Sequence, residues 1–300
     1  MGIHSITYLQ LYLLSKTHFE KNVFNIIENH YFFNQFIFRL IFSLLIFTSI
    51  QSSCFAQSPY ALDVTRESII FGSSIGIAVI GLKINDDILP LTLDEINALN
   101  RDDVNGFDRG ATYNWSPTIA NASDILAAAL ILSPSLLAFS DEVRNDFTPV
   151  LTMYFQTLIL SEALPLTLKG ITQRTRPFAY NEDTPLEEKK TQNAKRSFFS
   201  GHTSVAFAMA FFLSTVYSDF HPNSEWKPFV WGVSLLAATT VGYLRYASGK
   251  HFPTDIITGA LVGSAVGYFI PFIHRTNESD FDVSLGVNGN GSTLNFLYQF

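Results

Sequence analysis

The sequence predicts an all-α, multi-helix membrane bundle of about five or six apolar helices, with a small C-terminal β-hairpin. Three observations point there. Past Ala56, apolar blocks of about 16 to 21 residues alternate with short polar connections, which is near the minimum length of a spanning helix. The chain is 47% hydrophobic and only 15% charged, more apolar material than a disordered chain carries. The tail DVSLGVNGNGSTLNFLYQF alternates apolar and polar residues on both sides of Asn288-Gly289-Asn290-Gly291, turn residues that tolerate positive φ.

The elements are taken in order. Residues 36–50, FIFRLIFSLLIFTSI, followed by QSSCFAQS, read as the apolar region of a signal peptide with a cleavage site after Ala56. An uncleaved anchor needs about 20 apolar residues, more than this run offers, and a lipoprotein acylated at Cys54 wants an aliphatic residue where Gln51 stands. Cys54 is the single cysteine, so no intramolecular disulfide and no cysteine-based zinc site can form. The expected divisions are an N-terminal extension and signal peptide at 1–56, an N-terminal helix and polar loop at 57–122, a helical core at 123–273, and a tail with the hairpin at 274–300.

The apolar blocks fall at 67–83, 123–139, 148–168, 200–217, 228–245 and 254–273. In the last of them Gly259, Gly263 and Gly267 recur every fourth residue, a small-residue face suited to close helix packing. A mean hydropathy of only +0.20 leaves a soluble helical bundle as the alternative. The polar stretch 86–122 resembles a calcium loop until its register is checked: with Gly106 in the sixth place, Arg101 would occupy the first ligand position. The net charge of −7 and the absence of a dense Lys/Arg tract argue against a nucleic-acid partner.

Three blocks carry chemistry. The first, Lys169-Gly-Ile-Thr-Gln-Arg174-Thr-Arg176-Pro177, closes the 148–168 block, and alone it reads as cationic capping and a proline stop. The second, Ser197-Phe-Phe-Ser200-Gly201-His202, runs into an apolar helix. Ser200 is a natural N-cap there, and the free N–H groups after it make a ready anion site. The third is Arg245-Tyr-Ala-Ser-Gly-Lys-His251-Phe-Pro-Thr-Asp255. Asp255, four residues after His251, can accept a hydrogen bond from one ring nitrogen and leave the other with its lone pair exposed. Nine specified residues at these spacings arise by chance on the order of once in 10⁵ chains.

The blocks Lys-x6-Arg-Pro, Ser-Gly-His and Arg-x5-His-x3-Asp resemble the type 2 phosphatidic acid phosphatase superfamily, which includes membrane lipid phosphatases, soluble bacterial acid phosphatases and vanadium haloperoxidases. The match covers roughly 123–273, with Phe199 where the family has Pro and Leu244 where it has Ser. The resemblance implies a six-helix core whose blocks meet at one end. It also implies a phosphoric monoester hydrolase acting on lipid phosphates of phosphatidate or polyprenyl diphosphate type. In that scheme Lys169, Arg176 and Arg245 hold the phosphate oxygens, helped by Ser200 and the N–H groups from Gly201 onward. His251, oriented by Asp255, attacks phosphorus to give a phosphohistidine, and His202 protonates the leaving alkoxide and then activates water.

No metal is called for, and vanadate enters only if the chain is a haloperoxidase. Two further rival functions are a non-specific acid phosphatase on soluble esters and a membrane protein that binds a phosphorylated ligand without hydrolysis. Arg174 is a further cation, with a possible rim contact as its place. The expected location is an inner membrane of bacterial type with the site facing the periplasm, because 67–83 is short for a span.

Overall fold

Polar caps, more than the apolar blocks, decide where the helices begin. The structure, a computed structural model, describes residues 58–276 in full and the backbone of 281–288 and 291–298. The signal segment and Cys54 lie outside the described residues. The long helices are α1 (Val64–Asp86), α2 (Pro117–Leu132), α3 (Phe147–Thr172), α4 (Gly201–Phe220), α5 (Lys227–Ala247) and α6 (Pro253–His274). The all-α bundle is therefore present as predicted.

Two starts differ from the sequence reading. Asp63 caps α1 by accepting from Arg66 N, and Glu67 accepts from Asp63 N at 3.0 Å, so these polar residues belong to the helix. At 23 residues α1 is roughly 34 Å long, enough to cross a membrane, and the shortness expected of 67–83 does not hold. Ser116 caps α2 with Pro117 in its first turn, ahead of residue 123, and a 3-10 segment Ser133–Phe139 extends it. Helix α1, the stretch Pro117–Phe139, α4 and α6 are long and apolar enough to cross a membrane, by length and composition. Helices α3 and α5, of 26 and 21 residues, match them in length but are less apolar.

Helix α4 is central: its span is 61% buried against 22% for α1, and it packs on α3, α5 and α6. A Cβ at Gly259, Gly263 or Gly267 would run into the backbone carbonyls of Ser200, Ser204 and Ala208, so the glycine stripe brings α6 against the α4 backbone. Ala206, Ala210, Ala238 and Val241 close the α4–α5 contact in the same way. Larger side chains, among them Met153, Phe212, Val216 and Ile270, fill the other half of the bundle.

The connections 87–116 and 173–200 and the α5–α6 turn gather at one end. There Leu91, Phe178 and Ala194, with Trp115 packed against them, form a small separate core. The C-terminal hairpin pairs Phe281–Asn288 with Gly291–Tyr298 in antiparallel register, Asn288 opposite Gly291, as the turn residues predicted.

Candidate active site

The three blocks meet at this end because each lies where a helix stops or starts. Lys169 occupies the last turn of α3. A Cβ at Gly201 would stand 3.2 Å from Lys169 Nζ, so glycine there lets the ammonium lie against the start of α4. Ser200 is the N-cap: its Oγ accepts from Thr203 N at 3.3 Å and shares a 2.8 Å hydrogen bond with Thr203 Oγ1. The hydroxyl is thus engaged in capping, and the N–H groups of the first turn are left to face an anion.

Arg245 ends α5, and its carbonyl accepts from the N–H groups of Lys250 and His251 at 3.1 and 3.3 Å, which folds the turn back on itself. Gly249 makes this turn possible with φ +71°, and any Cβ there would collide with the Asn114 carbonyl. Asp255 follows in the first turn of α6. Arg176, Arg245, His251 and Asp255 are all buried, with His251 and Asp255 at 0% exposure.

Asp255 is anchored on every side. Its Oδ1 accepts from Arg174 Nη1 at 2.6 Å, and its Oδ2 accepts from Ser197 Oγ at 2.5 Å and Phe252 N at 3.0 Å. His251 Nδ1 stands 3.6 Å from Oδ2, an ion-pair distance longer than the hydrogen bond expected from the sequence. Neither His251 ring nitrogen has a hydrogen-bond partner among the described residues, and the same is true of Arg176 Nε and Arg245 Nε.

Burial, then the charges of Arg176, Arg245, Lys169 and His202, hold the His251 imidazole well below its usual range, so it is neutral at neutral pH. Burial and then Arg245 push Arg176 down to about 9, which leaves it cationic. The site is therefore a neutral, unpartnered imidazole surrounded by fixed positive charge. Such a site suits an attacked group that carries anionic oxygens.

Arg174 is not at the rim. Its guanidinium forks between Asp255 and Asp108, with Nη2 to Asp108 Oδ2 at 2.8 Å, and lies 4.2 Å over the Phe252 ring. Asp108 in turn accepts from Thr254 N at 3.0 Å and Thr254 Oγ1 at 2.7 Å, tying the polar stretch 86–122 to the start of α6. Burial raises the Asp108 carboxyl, but hydrogen bonds from Asn105, Thr254 and Arg174 outweigh it and hold the group below the usual carboxylate range. A cavity of about 200 Å³ is lined by Arg174, Thr175, Tyr180 and Phe252 but by none of the cations around His251, so it lies behind the site.

The three sequence blocks do not include Asp124. On α2 its Oδ1 lies 3.0 Å from His202 Nε2 and 2.8 Å from Arg245 Nη1. An ionisable residue inside an apolar block is a functional pointer in its own right, and the sequence carries that signal. Lys250 is a further cation, with Nζ 4.8 Å from the Phe178 ring and 5.1 Å from Trp115; burial and then Arg176 push it down to about 8.

Residues 150–279 match the PAP2 superfamily. The chain is 38% identical over 91 residues to a probable diacylglycerol pyrophosphate phosphatase of Schizosaccharomyces pombe, covering 29% of this chain and 33% of that protein. It is 34% identical over 79 residues to the lipid A 4'-phosphatase of Porphyromonas gingivalis, 26% of this chain and 30% of the relative. The chain spans about a third of the length of these curated relatives. The crystal structure of Aquifex aeolicus LpxE matches at 27% identity and a TM-score of 0.36, covering 52% of this chain and 86% of that one. With four helices able to cross a bilayer, the chain is a membrane protein. The matched stretch holds Lys169, Arg176, Ser200, Gly201, His202, Arg245, His251 and Asp255, whereas Asp108 and Asp124 precede it.

Proposed function

We propose that this chain is a phosphatase of the PAP2 superfamily that hydrolyses lipid phosphates, phosphatidate-type monoesters or polyprenyl diphosphates, through a phosphohistidine. The observation that carries the reading is buried His251, with both ring nitrogens unpartnered among the described residues and Lys169, Arg176 and Arg245 acting on it. Binding alone needs only the cations. A neutral imidazole backed by a carboxylate adds the means to attack.

In this mechanism Nδ1 faces Asp255 and carries the proton, so Nε2 holds the lone pair that forms the N–P bond. The bond from phosphorus to the leaving oxygen breaks, its electron pair leaves with the alkoxide of a monoester or with the lipid monophosphate of a diphosphate, and His202 supplies the proton. Water then adds to phosphorus with His202 as base, the N–P bond breaks, and phosphate departs. Lys169, Arg176, Arg245 and the N–H groups opening α4 hold the charge on the oxygens throughout, so no metal is needed. The names of the relatives and the apolar helices around the site support lipid esters over soluble ones.

The site end is proposed to face the periplasm, the arrangement the family resemblance implies. Since α1 is long enough to span, that choice puts residue 58 on the cytoplasmic side, and a signal cleaved after Ala56 would put it on the other. The outward site and the cleaved signal therefore exclude each other, and the outward site is kept. Labelling of an Asn193→Cys variant only after permeabilisation would overturn it.

Phosphate release by the purified chain from phosphatidate, undecaprenyl diphosphate and p-nitrophenyl phosphate tests the main reading. It predicts turnover of the lipids that is abolished in His251→Ala; no release from any ester, or release unchanged in the variant, would contradict it.

A further inference from the structure

His202 has to carry a proton to act on the leaving oxygen. Lys169 from α3 and Arg245 from α5 are the cations that face it, and the neutral His251 ring stands on the turn before α6. The carboxylate that faces it is Asp124 of α2, with Oδ1 3.0 Å from Nε2. The same oxygen accepts from Arg245 Nη1 at 2.8 Å, and Ser123 Oγ holds that nitrogen at 3.0 Å. The Asp124 and His202 side chains are 52% and 39% exposed, within reach of water and an incoming ester, while Arg245 is 5% exposed behind them.

Resting on the phosphatase reading, we propose that Asp124 is a positioning residue for that reaction, holding the Nε2 side of His202 and aiming its ring at the leaving oxygen. With Nε2–H held by Asp124, Nδ1–H is the proton that passes to the alkoxide as the P–O bond breaks, leaving a neutral imidazole. That imidazole takes a proton from the water that attacks the phosphohistidine and returns to the charged form beside Asp124. Helix α2, which precedes the matched stretch 150–279, thus completes the acid–base half of the site.

The test compares an alkyl lipid phosphate with p-nitrophenyl phosphate across pH, in the full chain and in Asp124→Asn, Asp124→Glu and Ser123→Ala. A poor leaving group needs the acid and a good one barely does. Asp124→Asn should slow the alkyl ester about 100-fold and the nitrophenyl ester less than about 10-fold, and move the alkaline limb of kcat to lower pH. Asp124→Glu should restore much of the alkyl rate. Ser123→Ala, which removes a contact from Arg245 and a long 3.5 Å one to Asp124 but none from His202, should keep the wild-type ratio of the two esters. Equal losses for both esters with an unmoved limb, or a Ser123→Ala variant that shifts the ratio as Asp124→Asn does, would overturn the proposal. If Asp124→Asn does not fold, Asp124→Glu takes its place, and equal losses for both esters in that variant overturn the proposal as well. Failure of the wild-type chain to release phosphate, or full activity in His251→Ala, would instead remove the phosphatase reading beneath it.

Discussion

At the end of the bundle away from the site, buried charge is matched atom for atom. Glu67 Oε2 meets His274 Nε2 at 2.8 Å and Gln156 Nε2 at 2.6 Å, while Oε1 accepts from Arg66 Nε at 3.1 Å and Asp63 N at 3.0 Å. Asp219 accepts from Arg275 through Nε at 2.9 Å and Nη2 at 3.0 Å and from Tyr60 Oη at 2.7 Å, so the start of α1 and the ends of α4 and α6 are tied together. At the site end the carboxylates are matched too, but His251 and parts of Arg176 and Arg245 are not. An unpaired polar group in a low-dielectric interior costs free energy, whereas a paired one is held in place. The far end is built as a lock, and in the proposed reading the site end keeps its cations and its imidazole for a group that arrives with its own negative charge.

The largest way to break this contrast is His251→Ala. It should lower turnover by about 10⁴-fold or more while leaving the thermal midpoint unchanged or raised, since the imidazole has no native hydrogen bond to lose; a fall in both would make His251 structural. Its counterpart is Glu67→Leu. Removing one member of a buried pair should destabilise the fold by about 3–5 kcal/mol, read by denaturant titration, with specific activity retained wherever the protein stays folded. Replacing Glu67 and His274 together with apolar residues should recover most of that loss.

Arg174→Met comes next, because it releases Asp255 and Asp108 together. A misplaced Asp255 should cost about 100-fold in kcat, and Arg174→Lys should regain part of it, since a point charge cannot fork between two carboxylates.

The pH profile sharpens the comparison further. His251 is held neutral in the folded chain, while in the unfolded chain it titrates near pH ~6.5. Below that pH the unfolded state binds a proton the folded state does not, so this group makes stability fall as pH falls, and His251→Ala should flatten that slope. Activity should persist on the acid side past the range of an ordinary histidine. The smallest expected effect is that of EDTA, which should leave the rate unchanged; a loss restored by a divalent cation would show that the cations of the chain do not suffice.

Much of this is legible in the residue order. The three blocks can be read because each sits at a helix end, where spacing along the chain translates into proximity: Arg245, His251 and Asp255 share one turn, and Ser200 to His202 one helix start. What pairs with what cannot be read, because it depends on how helices pack. Asp124 reaches His202 only through the α2–α4 contact, and Asp108 reaches Arg174 across 66 residues of sequence. The start of α2 escapes the apolar pattern because Pro117, Thr118 and Asn121 dilute it, just ahead of Asp124. Glu67 hides the first turn of α1 for the same reason: its charge is satisfied by His274, 207 residues away.

The central claim, that His251 becomes covalently bonded to phosphorus, is tested most directly by mixing the wild-type chain with ³²P-labelled phosphatidate and quenching in alkali during turnover. The account predicts a protein-bound label that survives alkali, is lost in acid, and is absent from His251→Ala. Steady turnover with no label on the protein, or the same label on His251→Ala, would contradict it.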